Sequence, residues 1–249
     1  MQEAEINPRV TGGAPKKGIK RAHMATFPDR VGVLPHSVAS IASQVDKVFL
    51  CLNEYHDVPG FLNEFDNVTA VIPERDYKDV GKFIFQPDPE DTVFLVDDDI
   101  EYADNYARQT LRRARGVGMD KRVFGYHATT FSNPTPRSIR QRTLLRMNQK
   151  LTYSTRVHQL GTGTVMLSGS LFPPLDYMEG SEKFVDVRFA RYCFENDIEM
   201  WTLPRNRRRF PSLLAGLEPE KRETIADSFS RRWPQHVLDE VKVFAGLQF

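Results

Sequence analysis

Asp97, Asp98 and Asp99 follow directly on the apolar run Val93–Phe94–Leu95–Val96. Short, β-branched and aromatic, and preceded by the turn formers Pro87, Asp88 and Pro89, that run has the make-up of a buried parallel strand. Three carboxylates at the carboxyl end of such a strand sit where open α/β sheets place their ligands. Crowded together they repel one another, and a hard divalent cation relieves the repulsion. A bare acidic triplet could equally be a solvated turn or a cap for the helix starting near Asp104; the buried strand before it shifts the balance towards a site.

The elements that position this triplet alternate. Strands are expected at 20–26, 47–52, 68–72, 92–96 and 123–126, with helices at 31–44 and 105–115. In the first helix Val31, Leu34, Val38, Ile41 and Ala42 recur at helical spacing. A βαβ rhythm of this kind gives a mostly parallel, Rossmann-like sheet flanked by helices. Between Thr129 and Arg156 the rhythm breaks into a stretch rich in Ser, Thr, Pro, Arg and Gln, expected to leave the sheet and to hold one short helix at 138–148. It is expected to lie over an acceptor as a mobile lid, with Arg137, Arg140, Arg142 and Arg146 meeting a charged acceptor on closing. A strand at 163–167, a helix at 187–196 and a strand at 200–203 resume the core. The last thirty residues read as helical, interrupted near Pro234.

The chain has 249 residues, 40% hydrophobic and 27% charged, which is ordinary globular composition. A net charge of +1 gives no electrostatic footprint for nucleic acid. No segment approaches the roughly 20 apolar residues of a membrane span, and the first twenty residues lack the apolar core of a signal peptide. Cys51 and Cys193 read as reduced, buried thiols. Together these point to a cytoplasmic protein.

Several segments resemble family 2 glycosyltransferases: Ala25–Thr26–Phe27–Pro28–Asp29–Arg30 after the first strand, Leu52–Asn53 ending the second, Asp79–Val80–Gly81–Lys82–Phe83, and the acidic triplet. Gly161–Thr162–Gly163 and Val185–Asp186–Val187 resemble the acceptor half of the same fold. The resemblance implies a GT-A domain over 20–205, with a flexible segment 1–19 before it and a helical extension 206–249 after it. It further implies a nucleotide-diphosphate sugar donor, a divalent metal (Mn²⁺ or Mg²⁺), a saccharide or glycolipid acceptor, and a role in bacterial surface polysaccharide synthesis, with peripheral association at the inner membrane face. One departure stands out: where the fold often supplies a third metal ligand, commonly His, this chain offers Arg205, Arg207, Arg208 and Arg209.

Glycosyl transfer breaks a C1–O bond and leaves a highly charged diphosphate, which an oxygen-held metal neutralises. Asp97 and Asp99 lie two apart and point the same way in an extended segment. Asp99 is expected to ligate the metal, Asp97 to meet the ribose or the metal, and Asp98 to lie on the donor side. Ala25, Thr26, Arg30, Asn53 and Lys82 are expected around the donor. Each has a plain alternative: a helix cap for Thr26 or Asp29, a turn cap for Asn53, a solvated side chain for Arg30, Arg75 or Lys82. Asp186 is expected to be the general base of an inverting transfer, with N-capping of the next helix as its alternative and Glu179, Glu182 and His127 as substitutes. Gly161, Thr162, Gly163 and His127 are placed on the acceptor side. The arginines at 205–209 are read either as anion ligands or as a basic surface turn.

Two other classes compete. Haloacid dehalogenase phosphatases also place Asp-x-Asp after a strand, but Ile100 and Glu101 stand where that pattern wants Thr or Val two residues on. A non-catalytic nucleotide- or sugar-binding module with a structural cation is the other, separated from an enzyme by turnover.

Overall fold

The computed structural model describes residues 18–138, 141–207, 210–222 and 233–249. Expectations for residues 1–17, Arg140, Arg208, Arg209 and the helix before Pro234 fall outside them.

In chain order the elements are β1 (Lys20–Thr26), α1 (Leu34–Ala42), β2 (Lys47–Leu52), β3 (Val68–Val71), β4 (Thr92–Val96), α2 (Tyr106–Val117) and β5 (Arg122–Gly125). Then come β6 (Ala128–Thr130), β7 (Thr143–Leu145), β8 (Thr155–Val157), β9 (Gln159–Leu160), β10 (Thr164–Ser168), α3 (Leu175–Met178), α4 (Val185–Glu195), β11 (Glu199–Thr202) and α5 (Gln235–Phe244). Eight strands form one mixed, mostly parallel sheet in the order β3-β2-β1-β4-β10-β5-β11-β8, and β7-β6-β9 form a second, small sheet. The first four strands are parallel, whereas β10 runs antiparallel to both β4 and β5. This α/β class is the one the strand–helix rhythm implies.

Both faces of the central strand β4 are covered, which is why it is apolar without alternation. Along β4, Phe94 and Val96 pack with Leu34, Val38 and Ile41 of α1 and Tyr106 of α2. Val93 and Leu95 pack on the other face with Phe189 and Cys193 of α4 and Val237, Val241 and Phe244 of α5. Helix α5 is tied to α4 by Arg188, whose guanidinium donates to both carboxylate oxygens of Glu240. Cys51 and Cys193 are free and buried. Among the described residues no helix is long and apolar enough to cross a membrane.

Two expected elements differ. The helix at 31–44 begins only at Leu34, because a 3-10 turn at Pro28–Arg30 occupies the approach and Pro35 sits in the first helical turn. No helix occupies the described part of 138–148. Instead Thr143–Leu145 adds to the edge of β6, with Ala128 opposite Leu145 and Thr130 opposite Thr143. Arg205 holds that strand down by donating to the carbonyls of Leu145 and Arg146.

Candidate functional site

Three features of the fold meet at the carboxyl end of β4. The neighbouring strand β1 is parallel and ends at Thr26, while β10 is antiparallel and starts at Thr164 opposite Val96. The acidic triplet, the β1 end and the Gly161–Gly163 turn are therefore brought to one edge by strand direction alone.

A fourth segment closes the edge. The 3-10 turn Lys78–Phe83 lies against β1 and β2 at Gly81, where an added Cβ would come within 2.7 Å of Cys51 Sγ and 3.2 Å of Ala25 Cβ. Asn53 fixes the turn by accepting from the Tyr77 amide at 2.9 Å and donating to the Lys78 carbonyl at 2.9 Å. That is the turn-capping role open to it from sequence. The turn buries Lys82 and directs its ammonium onto Asp97 Oδ1. Asp97 Oδ2 lies over the Cα of Gly163, leaving no room for a side chain: a Cβ would sit 1.8 Å from the oxygen. Lys82 and Asp97, both expected to meet the donor, thus face each other. Burial opposes the charge on Lys82, but Asp97, with further help from Asp186 and Asp79, holds its pKa above the usual lysine value.

Asp98 is buried; among the described residues neither its Oδ2 nor the buried Thr26 Oγ1 makes a hydrogen bond of good geometry, although the Thr26 hydroxyl lies close enough to favour the charged Asp98 carboxylate. Burial pushes the Asp98 carboxyl up to about 6, against the pull of Thr26 and Arg30. Burial, then the charges of Asp97 and Asp98, push Asp99 up to about 7. Arg30 is buried rather than solvated: it stacks on Phe27 and donates to the Lys221 carbonyl at 2.6 Å. Buried polar atoms without a protein partner, beside carboxyls whose pKa values burial raises, make this edge the candidate site.

The acceptor-side residues converge around Asp186. Its Oδ1 accepts from the Thr162 amide and the Thr162 hydroxyl, each at 2.8 Å. Asp186 is the second residue of α4, with Phe184 at the cap position, so it fixes the 161–163 turn and does not cap its helix. The Gly161 amide donates to the His127 carbonyl at 2.8 Å, and the imidazole lies against Gly161. Burial pushes the His127 pKa down, opposed by the charge of Asp186 and assisted by Arg142, Arg146 and Arg205. Glu179 and Arg75 pair with each other at the surface, and neither bonds to this cluster.

Arg205 is neither a surface residue nor an anion ligand. It is buried and donates to Thr202 Oγ1 and to the carbonyls of Leu203, Leu145 and Arg146.

Two residues absent from the sequence-derived set join the halves of the site. The Tyr102 hydroxyl accepts from the Asp97 amide at 2.7 Å and donates to the Gly163 carbonyl at 2.6 Å, linking the acidic triplet to the acceptor turn. Asp79 accepts from the Lys183 amide at 2.8 Å and so ties the Lys82 turn to the approach of α4; burial pushes its carboxyl up to about 7. Tyr102 could have been noticed as an isolated aromatic in a polar turn just after the triplet.

Among the described residues no three His, Cys, Asp or Glu side chains converge as an all-protein metal cage. The oxygen donors of Asp98 and Asp99 fit another arrangement, common for Mg²⁺ and similar hard ions. In it one or two carboxylates share the ion with substrate phosphates and water. The orphaned Asp98 Oδ2 is the observation that agrees with it.

Together these features define an open α/β protein with a buried charge cluster at the carboxyl edge of its sheet. No protein-family model matches the chain, and no curated protein does. Among solved structures it is similar to a nucleotidyl transferase from Methanothermobacter thermautotroptrophicus, at 10% identity over 89% of this chain and 98% of that one, with a TM-score of 0.48. Nothing about the reaction follows from a likeness of that size, so the side chains must carry the functional argument.

Proposed function

We propose that this chain is a metal-dependent glycosyltransferase that moves a sugar from a nucleotide-diphosphate donor to a saccharide or glycolipid hydroxyl with inversion. One observation carries the reading. Buried Asp98 and half-buried Asp99 crowd at the carboxyl edge of β4, with an Asp98 oxygen and the neighbouring Thr26 hydroxyl unpartnered among the described residues. A bound divalent cation would supply charge neutralisation for the leaving diphosphate.

The chain's own groups divide the remaining work. Asp99, with Asp98, would hold the ion. Ala25 and Thr26 line the strand end where the nucleoside would lie. Lys82, buried and paired with Asp97, would hold its ammonium beside the edge where the diphosphate would lie. Asp186 would take the proton from the acceptor hydroxyl: Thr162 holds one of its oxygens twice, leaving the other to face the acceptor. Tyr102 keeps donor and acceptor sides in register through one hydroxyl.

The test is turnover. Incubation with a panel of nucleotide sugars should release nucleoside diphosphate only when Mn²⁺ or Mg²⁺ is present, and Asp99→Asn should remove that release. Release that is indifferent to chelator, or no release from any nucleotide sugar, rejects the proposal and leaves at most a binding module.

A further inference from the structure

Arg21, Arg188 and Arg205 are saturated: Arg21 bonds His23 and Asp91, Arg188 bonds Glu240 and two carbonyls, and Arg205 bonds three carbonyls and a hydroxyl. Arg142 is different. It is half-buried, its guanidinium lies 5.0 Å over the ring of Trp233, and it makes no hydrogen bond or ion pair with the described residues. A guanidinium presents five donors in a fixed plane, and keeping them partly out of water without acceptors is costly.

The surroundings of Arg142 belong to the acceptor side. It immediately precedes β7, which pairs with β6, the strand that directly follows His127, and His127 lies against Gly161. The charges near it are Asp186, which favours its cationic form, and Arg146, which opposes it; burial pushes its pKa down. Burial pushes the His127 pKa down. One carboxylate, already engaged by Thr162, lies near two guanidiniums. A neutral sugar entering here would leave Arg142 without an acceptor.

We propose that the acceptor is an anionic saccharide, carrying a carboxylate or a phosphate ester that Arg142 binds from its platform on Trp233 while Asp186 faces the reacting hydroxyl. This deepens the glycosyltransferase reading and rests on it for the role of Asp186. The planar fork of arginine suits both oxyanions bidentately, and the aromatic ring orients that plane before the ligand arrives. The positive excess also disfavours neutral competitors, which would leave the half-buried donors of Arg142 unpaired.

Calorimetric titration of metal-free protein with methyl glucuronide, glucose 6-phosphate and methyl glucoside tests it. At least one anionic sugar should bind about tenfold or more tightly than the neutral glucoside. That advantage should shrink as added salt rises from about 50 to about 500 mM. Preference for the glucuronide assigns a carboxylate, and preference for glucose 6-phosphate assigns a phosphate ester. Arg142→Gln should abolish the preference. Arg142→Lys, which keeps the charge over Trp233, should retain part of it and covers the case in which glutamine loosens the hairpin. Equal binding of all three sugars, no binding of either anion, or an undiminished preference in Arg142→Gln overturns the proposal. Parallel titration of nucleoside diphosphates with Mn²⁺ separates the two readings: nucleotide binding without anion preference keeps the transferase and discards this subsite, and the converse pattern does the reverse.

Discussion

Strands β1 and β4 carry buried charge at two levels, and the levels are built on opposite principles. Deep between the strands, Arg21 donates to Asp91 at 3.1 Å and to His23 Nε2 at 2.8 Å. His23 is left with its proton on Nδ1, which donates to the Lys82 carbonyl at 3.0 Å. Asp91 takes two further amides, from Ile19 and Asp88. Every member of that chain has a partner, and the guanidinium also lies 3.9 Å over the Phe49 ring. At the carboxyl end of the same strands, three carboxylates crowd together, with Thr26 Oγ1 and Asp98 Oδ2 unpartnered. The satisfied cluster supports the backbone of Lys82; the other leaves buried polar atoms without a partner among the described residues, and the proposed function rests on them.

The contrast can be broken at either end. The largest effect is expected at the proposed catalytic edge: Asp186→Asn keeps an acceptor for Thr162 but removes the proposed base, so transfer should fall by about 10²–10⁴-fold while donor binding persists. Wild-type turnover in that variant, or a product that retains the donor's anomeric configuration, would contradict the inverting role. In the satisfied cluster the loss should appear in stability. Arg21→Ala strands Asp91 and His23 in the interior and should cost about 3–5 kcal/mol of unfolding free energy by urea titration. A loss well under about 1 kcal/mol would mean that water replaces the guanidinium and that the cluster is not closed.

The two levels should also titrate in opposite senses. Burial, aided by Arg21, pushes the His23 pKa down to about 3 from its ordinary 6.5. Its neutral form is thus favoured by folding: the contribution is complete above pH 6.5 and is lost towards pH 3, at up to about 1.4 kcal/mol per pH unit. Asp98 and Asp99 are pushed up to about 6 and about 7, so in the metal-free protein their contribution is complete below about pH 4 and is lost as pH rises towards 7. His23→Gln should flatten the acid limb of the stability–pH curve, and Asp99→Asn should flatten the neutral limb and raise metal-free stability there. Parallel curves for both variants and the wild type would show that neither group titrates as its burial dictates.

Local chemistry made the sheet legible. The run Val93–Val96 ending in three aspartates reads as a covered strand opening onto a polar edge, and β4 lies where that pattern puts it. What the sequence could not display was pairing at a distance. The stretch at 138–148 contains good helix formers, yet the free edge of β6 and the donors of Arg205 capture Thr143–Leu145 as a strand. Asp186 looks like a helix cap until Thr162, 24 residues earlier, claims its oxygen. Lys82 meets Asp97 only because Gly81 lets the turn settle onto Cys51, a contact with no local signature. Arg205 and Arg142 are alike in sequence and differ only in what the fold offers each guanidinium.

Calorimetric titration of nucleoside diphosphates, with Mn²⁺ and with chelator, puts the unsatisfied cluster to the most direct test. At least one nucleoside diphosphate should bind with Mn²⁺, bind about tenfold or more weakly without it, and lose the metal dependence in Asp99→Asn. Binding that is equal with and without metal, or unchanged in Asp99→Asn, would show that the carboxyl edge of β4 is not a metal–nucleotide site.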